Sequence, residues 1–291
     1  MNSIKKQNEK KAIRLLAAQR AIYSHAKKYW ALTLLLNIIV VPVFSFATIF
    51  KPQFASHIAI LGIAVIAINA ALYLIIKNYI KTAASIQELF DHHVLEIPLN
   101  VIIVNKPDIK EVIEEWADKL LNKKTFLKKN KDPRLKNWYT ISPRWEQSKA
   151  IITAQRINSW WDGSLRTKYT ITTTALVIVI FFVLIYVGNM RDLKLKEFIL
   201  VIIVPMIPAF QTMIVECYKN FQAIKNAEAN LNRSKSLLAA SETQQVDMAD
   251  IRALQDAIYS HRITAPLIFD FVYWISRKKN ELLMNKIGKA K

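Results

Sequence analysis

Apolar residues in this chain are gathered into blocks rather than spread in stripes. Four windows carry no charge: 31–50, 52–76, 169–190 and 198–215. Charged residues fence them: Lys28 and Lys51, Lys51 and Lys77, Lys168 and Arg191, Glu197 and Glu216. A helix rises 1.5 Å per residue, so roughly 20 apolar residues cover a bilayer core. The first three windows predict spanning helices. The fourth contains Pro205, Pro208 and Gln211. It reads either as a full span with little tilt or as a re-entrant segment. The pairing of windows favours the span, which keeps the C-terminus on the same side as the N-terminus.

The polar remainder is basic, within a formal net charge of +19. Residues 1–29 carry eight Lys/Arg against one acidic residue, 77–168 carry 17 against 11, and 216–291 carry 12 against eight. The short connections at Lys51 and at 191–197 are nearly neutral. The positive-inside rule then places both termini and the middle region in the cytoplasm. Trp30 and Tyr169 fall at the cytoplasmic edges of spans, where amphipathic rings prefer to lie. The expected fold class is an all-α membrane protein. Four transmembrane helices form two hairpins, and N-terminal, middle and C-terminal segments assemble a mainly helical cytoplasmic bundle. The divisions are 1–29 (amphipathic helix), 30–76 (hairpin 1), 77–168 (middle region), 169–216 (hairpin 2) and 217–291 (C-terminal helices). A basic stretch precedes the first window, and no short apolar core with a small-residue cleavage site follows it. A cleavable signal peptide is therefore not expected.

Within the polar segments, "AIYSH" occurs twice, at 21–25 and 257–261. Leu15, Ala18, Gln19, Ile22 and Tyr23 share the spacing of Ile251, Leu254, Gln255, Ile258 and Tyr259, which is the stripe of an amphipathic helix. The flanks do not align, so an internal repeat is not indicated. Two similar helices facing one core, or coincidence between Ala-rich helices, remain the readings. Buried amides need partners, so Gln19 and Gln255 are expected to bond across a helix interface. The second window is expected to continue as helix through "NYIKTAASIQELFDHH". "VLEIPLNVIIV" alternates and suits a short strand or an extended connector. "KPDIKEVIEEWADKLLNKK" predicts a capped helix with Ile109, Val112, Ile113, Trp116 and Leu120 on one face. "KKNKDPRLKNWY" reads as a loop. "PRWEQSKAIITAQRINSWWDGSLRTKY" reads as one helix feeding the third window, and the C-terminal part as two or three more.

Candidate chemistry is sparse. The four glycines cannot form a phosphate-cradling loop, and Cys217 is the sole cysteine, so no intrachain disulfide is possible. No HExxH, GxSxG or zinc-spaced Cys/His set is present, and neither an enzyme nor a metal or other cofactor is expected. Asp91, His92 and His93 point about 100° apart in succession and read as a solvated helix end. Glu111, Glu114, Glu115 and Asp118 read as a solvated helix face. The mixture of guanidinium groups and large rings in Arg144, Trp145, Arg156, Trp160, Trp161 and Arg166 suits phosphates and bases. The bland alternative is core packing, interfacial anchoring and the positive-inside bias. Pro205, Pro208, Gln211 and Thr212, with Asn37 and Asn69, are the polar or kinking residues inside windows. They suit either a pore lining or hydrogen bonds between packed helices.

Taken in order, "LLAAQRAIY", "IQELFDHHVLEI", "NWYTIS", "TAQRINSWWDGSLRTKY" and "LQDAIYSHRITAPLIFDFVY" resemble the SMODS-associated four-transmembrane effector family over nearly the whole chain. Ala154 and His92 stand where that family pattern often has cysteine, which puts any thiol role in doubt. The resemblance implies a bacterial inner-membrane effector of CBASS anti-phage systems, encoded beside a nucleotidyltransferase. A cyclic oligonucleotide would switch it to a membrane-permeabilising state and cause abortive infection. The partners implied are a lipid bilayer, that ligand and further copies of the chain, since four spans from one chain enclose little water. No nucleic-acid polymer is expected. On this reading the ligand candidates are Arg144, Arg156, Trp160, Arg166, Arg20 and Arg262. The pore or kink candidates are Pro205, Pro208, Gln211, Thr212 and Asn69. The structural interface comprises Gln19, Tyr23, Gln255, Asp256 and Tyr259, with Arg20, Asp256 and Arg262 pairing or facing the ligand. The competing functions are a constitutive membrane scaffold whose basic bundle binds an acidic partner or anionic lipid, and a membrane-embedded enzyme.

Overall fold

The computed structural model describes residues 3–100, 107–122, 135–141, 145–191 and 193–289. Among them every regular element is helical. α1 (Lys10–Leu35) passes through a π-turn at Leu36–Val40 into α2 (Val41–Phe50). α3 (Ala55–Leu95) returns alongside it. α4 (Ile109–Leu121) lies on α1. α5 is one helix of 44 residues (Gln147–Met190). A short turn, α6 (Leu195–Phe198) and a second π-turn at Ile199–Ile203 lead into α7 (Val204–Ala240), which runs back along α5. α8 (Met248–Thr264) packs on α3, α5 and α7, and α9 (Asp270–Lys289) packs on α5.

Two long antiparallel hairpins are the frame. In the first, Lys6 meets Glu96, His25 and Tyr29 meet Tyr79, and Asn37 meets Asn69. In the second, Gly188 lies by Phe198, Thr174 by Cys217, Arg166 by Asn220, and Gly163 by Ala227. The buried stripe of α7 explains the second pairing. Pro205, Ala209, Met213, Glu216, Asn220, Ala223, Ala227, Asn230 and Ser234 recur every three or four residues. Its small members let α7 approach α5 closely, and a Cβ on Gly163 would sit 3.5 Å from that of Ala227.

Local chemistry sets the ends. α3 stops where Glu96 turns left-handed at φ 58° and its N–H bonds His92 O, with Pro98 two residues beyond. α8 starts on Asp247, whose side chain accepts from the Ala249 N–H, and stops before Pro266. Both π-turns immediately precede a helix with proline in its first turn, Pro42 in α2 and Pro205 in α7. Proline lacks the N–H that an uninterrupted α-helix would use, and local widening accommodates the lost bond. The cap expected for α4 is absent: Asp108 makes no side-chain bond there, and burial of Ile113 and Ala117 anchors the helix instead. Of "VLEIPLNVIIV", residues 96–100 are irregular rather than a strand, and 101–104 lie outside the described residues, as does most of the basic loop.

Each hairpin has two unlike halves. One core unites α1, α3, α4, α5 and α8, with Leu16, Phe90, Ile151, Ile152 and Ile251 almost fully buried. Both AIYSH stripes face inward here, since Leu15, Ala18, Ile22, Ile251, Leu254 and Ile258 are all buried. The other halves expose large apolar side chains, such as Ile63, Ile66, Phe182 and Leu200. An apolar surface of that extent is not stable against water. Three described helical runs, Lys10–Ala47, Ser56–Leu95 and Gln147–Met190, are long and apolar enough to cross a membrane. The fourth window forms the second π-turn and the start of α7.

Gly188 offers a direct check on hairpin geometry, because a Cβ there would overlap the Phe198 ring. Gly188→Ala is expected to destabilise the protein by about 1–3 kcal/mol, with partial recovery on adding Phe198→Leu. Thermal unfolding in detergent measures both. A loss below about 0.5 kcal/mol would mean that the turn does not pack this closely.

Candidate functional site

The five ligand candidates among the described residues do not gather at one place. Arg144 lies outside the described residues. Arg20 sits over Trp274, 5.8 Å from the ring centroid. Arg262 and Arg166 are each engaged by internal partners, in two separate polar clusters. Arg156 and Trp160 share a cavity.

The first cluster ties α8 to both hairpins. Glu88 and Asp91 on α3 are 0% and 1% exposed. Arg262 Nη1 donates to Asp91 Oδ2 at 2.7 Å, and Arg252 Nη2 lies 2.7 Å from Glu88 Oε1. Gln255 Nε2 donates to Glu88 at 2.8 Å and to Asp91 at 2.9 Å, while its Oε1 accepts from Gln155 on α5 at 3.1 Å. Tyr139 donates to Asp91 Oδ1 at 2.6 Å, and Tyr259 shares a hydrogen bond with Ser85 at 3.1 Å. Burial and the neighbouring Asp91 charge push the Glu88 carboxyl up, against the pull of both arginines. Asp91 is therefore no solvated helix end. Its carboxylate is buried among core positions of α3, between Phe90 and Val94. His92 Nδ1 meets Ile97 O and His93 Nε2 meets Glu9, so the three side chains diverge.

Gln19 and Gln255 do not bond each other. The Gln19 Oε1 atom is buried with no partner among the described residues. Asp256 bonds Arg252 and Asn100 rather than Arg20 or Arg262. Tyr23 is held in the core by packing, and burial raises its hydroxyl to about 12. The two AIYSH copies thus do different work. His25 packs edge-on to Tyr79 and Trp116, whereas His261 enters the second polar cluster.

That cluster lies where α5 enters the third window and α7 leaves the fourth. Arg166 Nε donates to Asp162 Oδ2 at 2.6 Å. Its Nη1 donates to Asn220 Oδ1 at 3.1 Å and to Pro266 O at 2.9 Å. His261 Nε2 lies 2.6 Å from the same Asp162 oxygen, and Asn220 donates to Glu216 Oε1 at 2.9 Å. Burial alone would raise the Asp162 carboxyl, but the Arg166 charge and the His261 hydrogen bond hold it well below the usual carboxylate range. Nε2 of His261 then carries the proton. One carboxylate joins α5 to α8, and one guanidinium joins α5 to α7 and to the α8–α9 link.

The cavity lies farther from the apolar halves. Arg156, Ile157 and Trp160 of α5, Leu231 and Lys235 of α7, and Met284 of α9 enclose about 270 Å³. Lys235 and Met284 carried no sequence signal, since one is an ordinary lysine on a polar helix and the other an ordinary apolar residue. A second cavity of about 640 Å³ lies between the apolar halves of α5 and α7, lined by Val177, Phe181, Phe182, Phe210 and neighbours.

Four of the pore candidates lie close together near the start of α7, and Asn69 lies on α3. Asn69 donates to Asn37 at 3.1 Å, tying the first hairpin. Thr212 donates to Pro208 O at 2.8 Å, Pro205 is buried and Gln211 is exposed. The acidic face of α4 is solvated, with Glu114 and Asp118 paired to Arg14 and Glu115 to Lys119.

The model of the SMODS-associating 4TM effector domain matches residues 2–290. The chain belongs to this family. A probable CBASS effector molecule of Bacillus cereus (strain VD146) is 25% identical over 297 residues, covering 98% of this chain and 96% of that protein. No solved structure matches. Family membership and the three apolar helices together make this a membrane protein of the 4TM effector class.

Proposed function

We propose that the chain is an inner-membrane effector of a bacterial anti-phage system, which a cyclic oligonucleotide switches to a membrane-permeabilising state. Four spans cross the bilayer, including the fourth window. Both termini, the middle region and the united helical core lie in the cytoplasm. A genetically linked nucleotidyltransferase supplies the ligand, several copies surround the conducting path, and the chain performs no catalysis.

The observation that carries this reading is α5. A single unbroken helix lines the Arg156–Trp160 cavity at one end and contains the whole third apolar window at the other. A displacement at the cavity is therefore transmitted along a rigid rod into the membrane. The Asp162–Arg166 cluster ties the same rod to α7 and α8 at the entry to the window. The kink candidates Pro205 and Pro208 lie on the helix that this tie would move.

Dye and ion release from liposomes containing the purified protein, across a panel of cyclic di- and trinucleotides, tests the reading. Release with only one or two members of the panel is the expected result. No release with any member, once insertion and folding are verified, removes direct gating and favours a scaffold that recruits acidic partners.

A further inference from the structure

We infer that the α5–α7–α9 cavity is a subsite for one phosphorylated base, a single unit of the larger cyclic ligand. This rests on the gating reading for the identity of the ring, but the cavity's own chemistry carries the assignment. Two cations, Arg156 and Lys235, line it from different helices. Neither forms an ion pair with a described carboxylate, and Lys235 has only a 3.5 Å contact to Asn232. This sets them apart from Arg14, Arg166, Arg252 and Arg262, which all have internal carboxylate partners. Two uncompensated cations at one concave site select an anion, and guanidinium plus ammonium suits a phosphate.

The rest of the lining selects what the phosphate is attached to. Trp160 offers a flat ring, and Ile157, Leu231 and Met284 supply an apolar surround. Aromatic faces accept any nucleobase by stacking. On the same face of α9, one turn before Met284, Asn280 is 1% exposed and its Nδ2 bonds nothing among the described residues. An unused amide donor one helical turn from the cavity residue Met284 suits a base edge.

Size limits the occupant. A volume of about 270 Å³ falls just below the roughly 300–1,000 Å³ typical of pockets that engulf drug-sized ligands. One nucleotide unit fits, and the remainder of a two- or three-membered ring stays outside.

The full chain in detergent would be titrated with 5′-AMP, 5′-GMP, 5′-CMP and 5′-UMP, then with the cyclic panel, following binding by calorimetry and release in liposomes. At least one mononucleotide should bind saturably, displace the active ring and trigger no release. Arg156→Gln and Lys235→Gln should each weaken it about tenfold or more, and Trp160→Leu by a similar factor. Lys225→Gln, on the exposed face of α7, should leave affinity unchanged. Trp160 also packs against the core, so the two charge variants keep the test decisive if Trp160→Leu misfolds. Failure of every mononucleotide to bind at millimolar concentration overturns the subsite. Ring-triggered release that survives both charge variants overturns the subsite and leaves gating standing. Mononucleotide binding that depends on Arg156 and Lys235, with no ring ever opening the liposomes, does the reverse.

Discussion

Replacing Arg262 by methionine is expected to cost about 3–5 kcal/mol of stability, the largest effect of any single substitution outside the apolar windows. The reason is the near-complete burial of Glu88 and Asp91. Two carboxylates in a core repel each other and have lost their water. Arg262 and Arg252 compensate, and Gln255 and Tyr139 satisfy further lone pairs. Methionine fills the volume but strands one charge. The pH dependence gives a signature that simple loss of packing would not. Burial and Asp91 already raise the Glu88 carboxyl, and losing Arg262 raises it further. A carboxyl raised in the folded state binds its proton more tightly there than in the unfolded chain. The deficit of the variant should therefore shrink as pH falls from 8 to 5 and grow as it rises. Adding Glu88→Gln should recover part of the loss at pH 8 and little at pH 5. Unfolding in detergent at several pH values measures all of this. A pH-independent loss below about 1 kcal/mol would mean that these carboxylates are not a buried, paired cluster.

The sequence made some of this legible and hid the rest for physical reasons. Helix existence was readable because an uncharged window of twenty residues has few other stable forms in or out of a bilayer. The continuity of α5 from Gln147 to Met190 was readable because nothing between them breaks a helix. The stripe shared by the AIYSH segments located one face of α1 and one of α8. What the stripe could not give is the partner. Gln255 meets carboxylates from α3, while Gln19 in the matching position meets none. Periodicity encodes which face is buried, not what lies opposite. Asp91 shows the same limit, because an acidic residue beside two histidines reads as a helix end until an arginine from α8 closes on it. Arg166 does not join Arg156 at the cavity, because Asp162 and Asn220 hold its guanidinium. The cavity partner Lys235 comes from a helix that only the α5–α7 hairpin register brings alongside Arg156.

Asp162→Asn is expected to separate ligand binding from membrane opening. Asp162 accepts from both Arg166 and His261 through one oxygen, and so joins the rod that enters the third window to α8. An asparagine keeps the shape and loses the charge. Arg166 retains Asn220 and Pro266 O, so the fold should persist with a loss on the order of 1–3 kcal/mol. The cavity lies on the opposite side of this tie from the apolar window, so nucleotide affinity should stay within about threefold. Release from liposomes at saturating ligand should fall at least about tenfold, because α8 no longer follows α5 through the Asp162–His261 contact. His261→Gln can still donate to Asp162 and should retain most of the response. Acidification does not mimic the substitution. The Asp162 carboxyl is held below its ordinary value, so its contribution is complete above about pH 4 and is lost only below that. Wild-type coupling should consequently be level from pH 8 to 5 on account of this group. Spontaneous leakage by Asp162→Asn without ligand would reverse the assignment, making the cluster a latch on the closed state rather than the tie through which opening is transmitted.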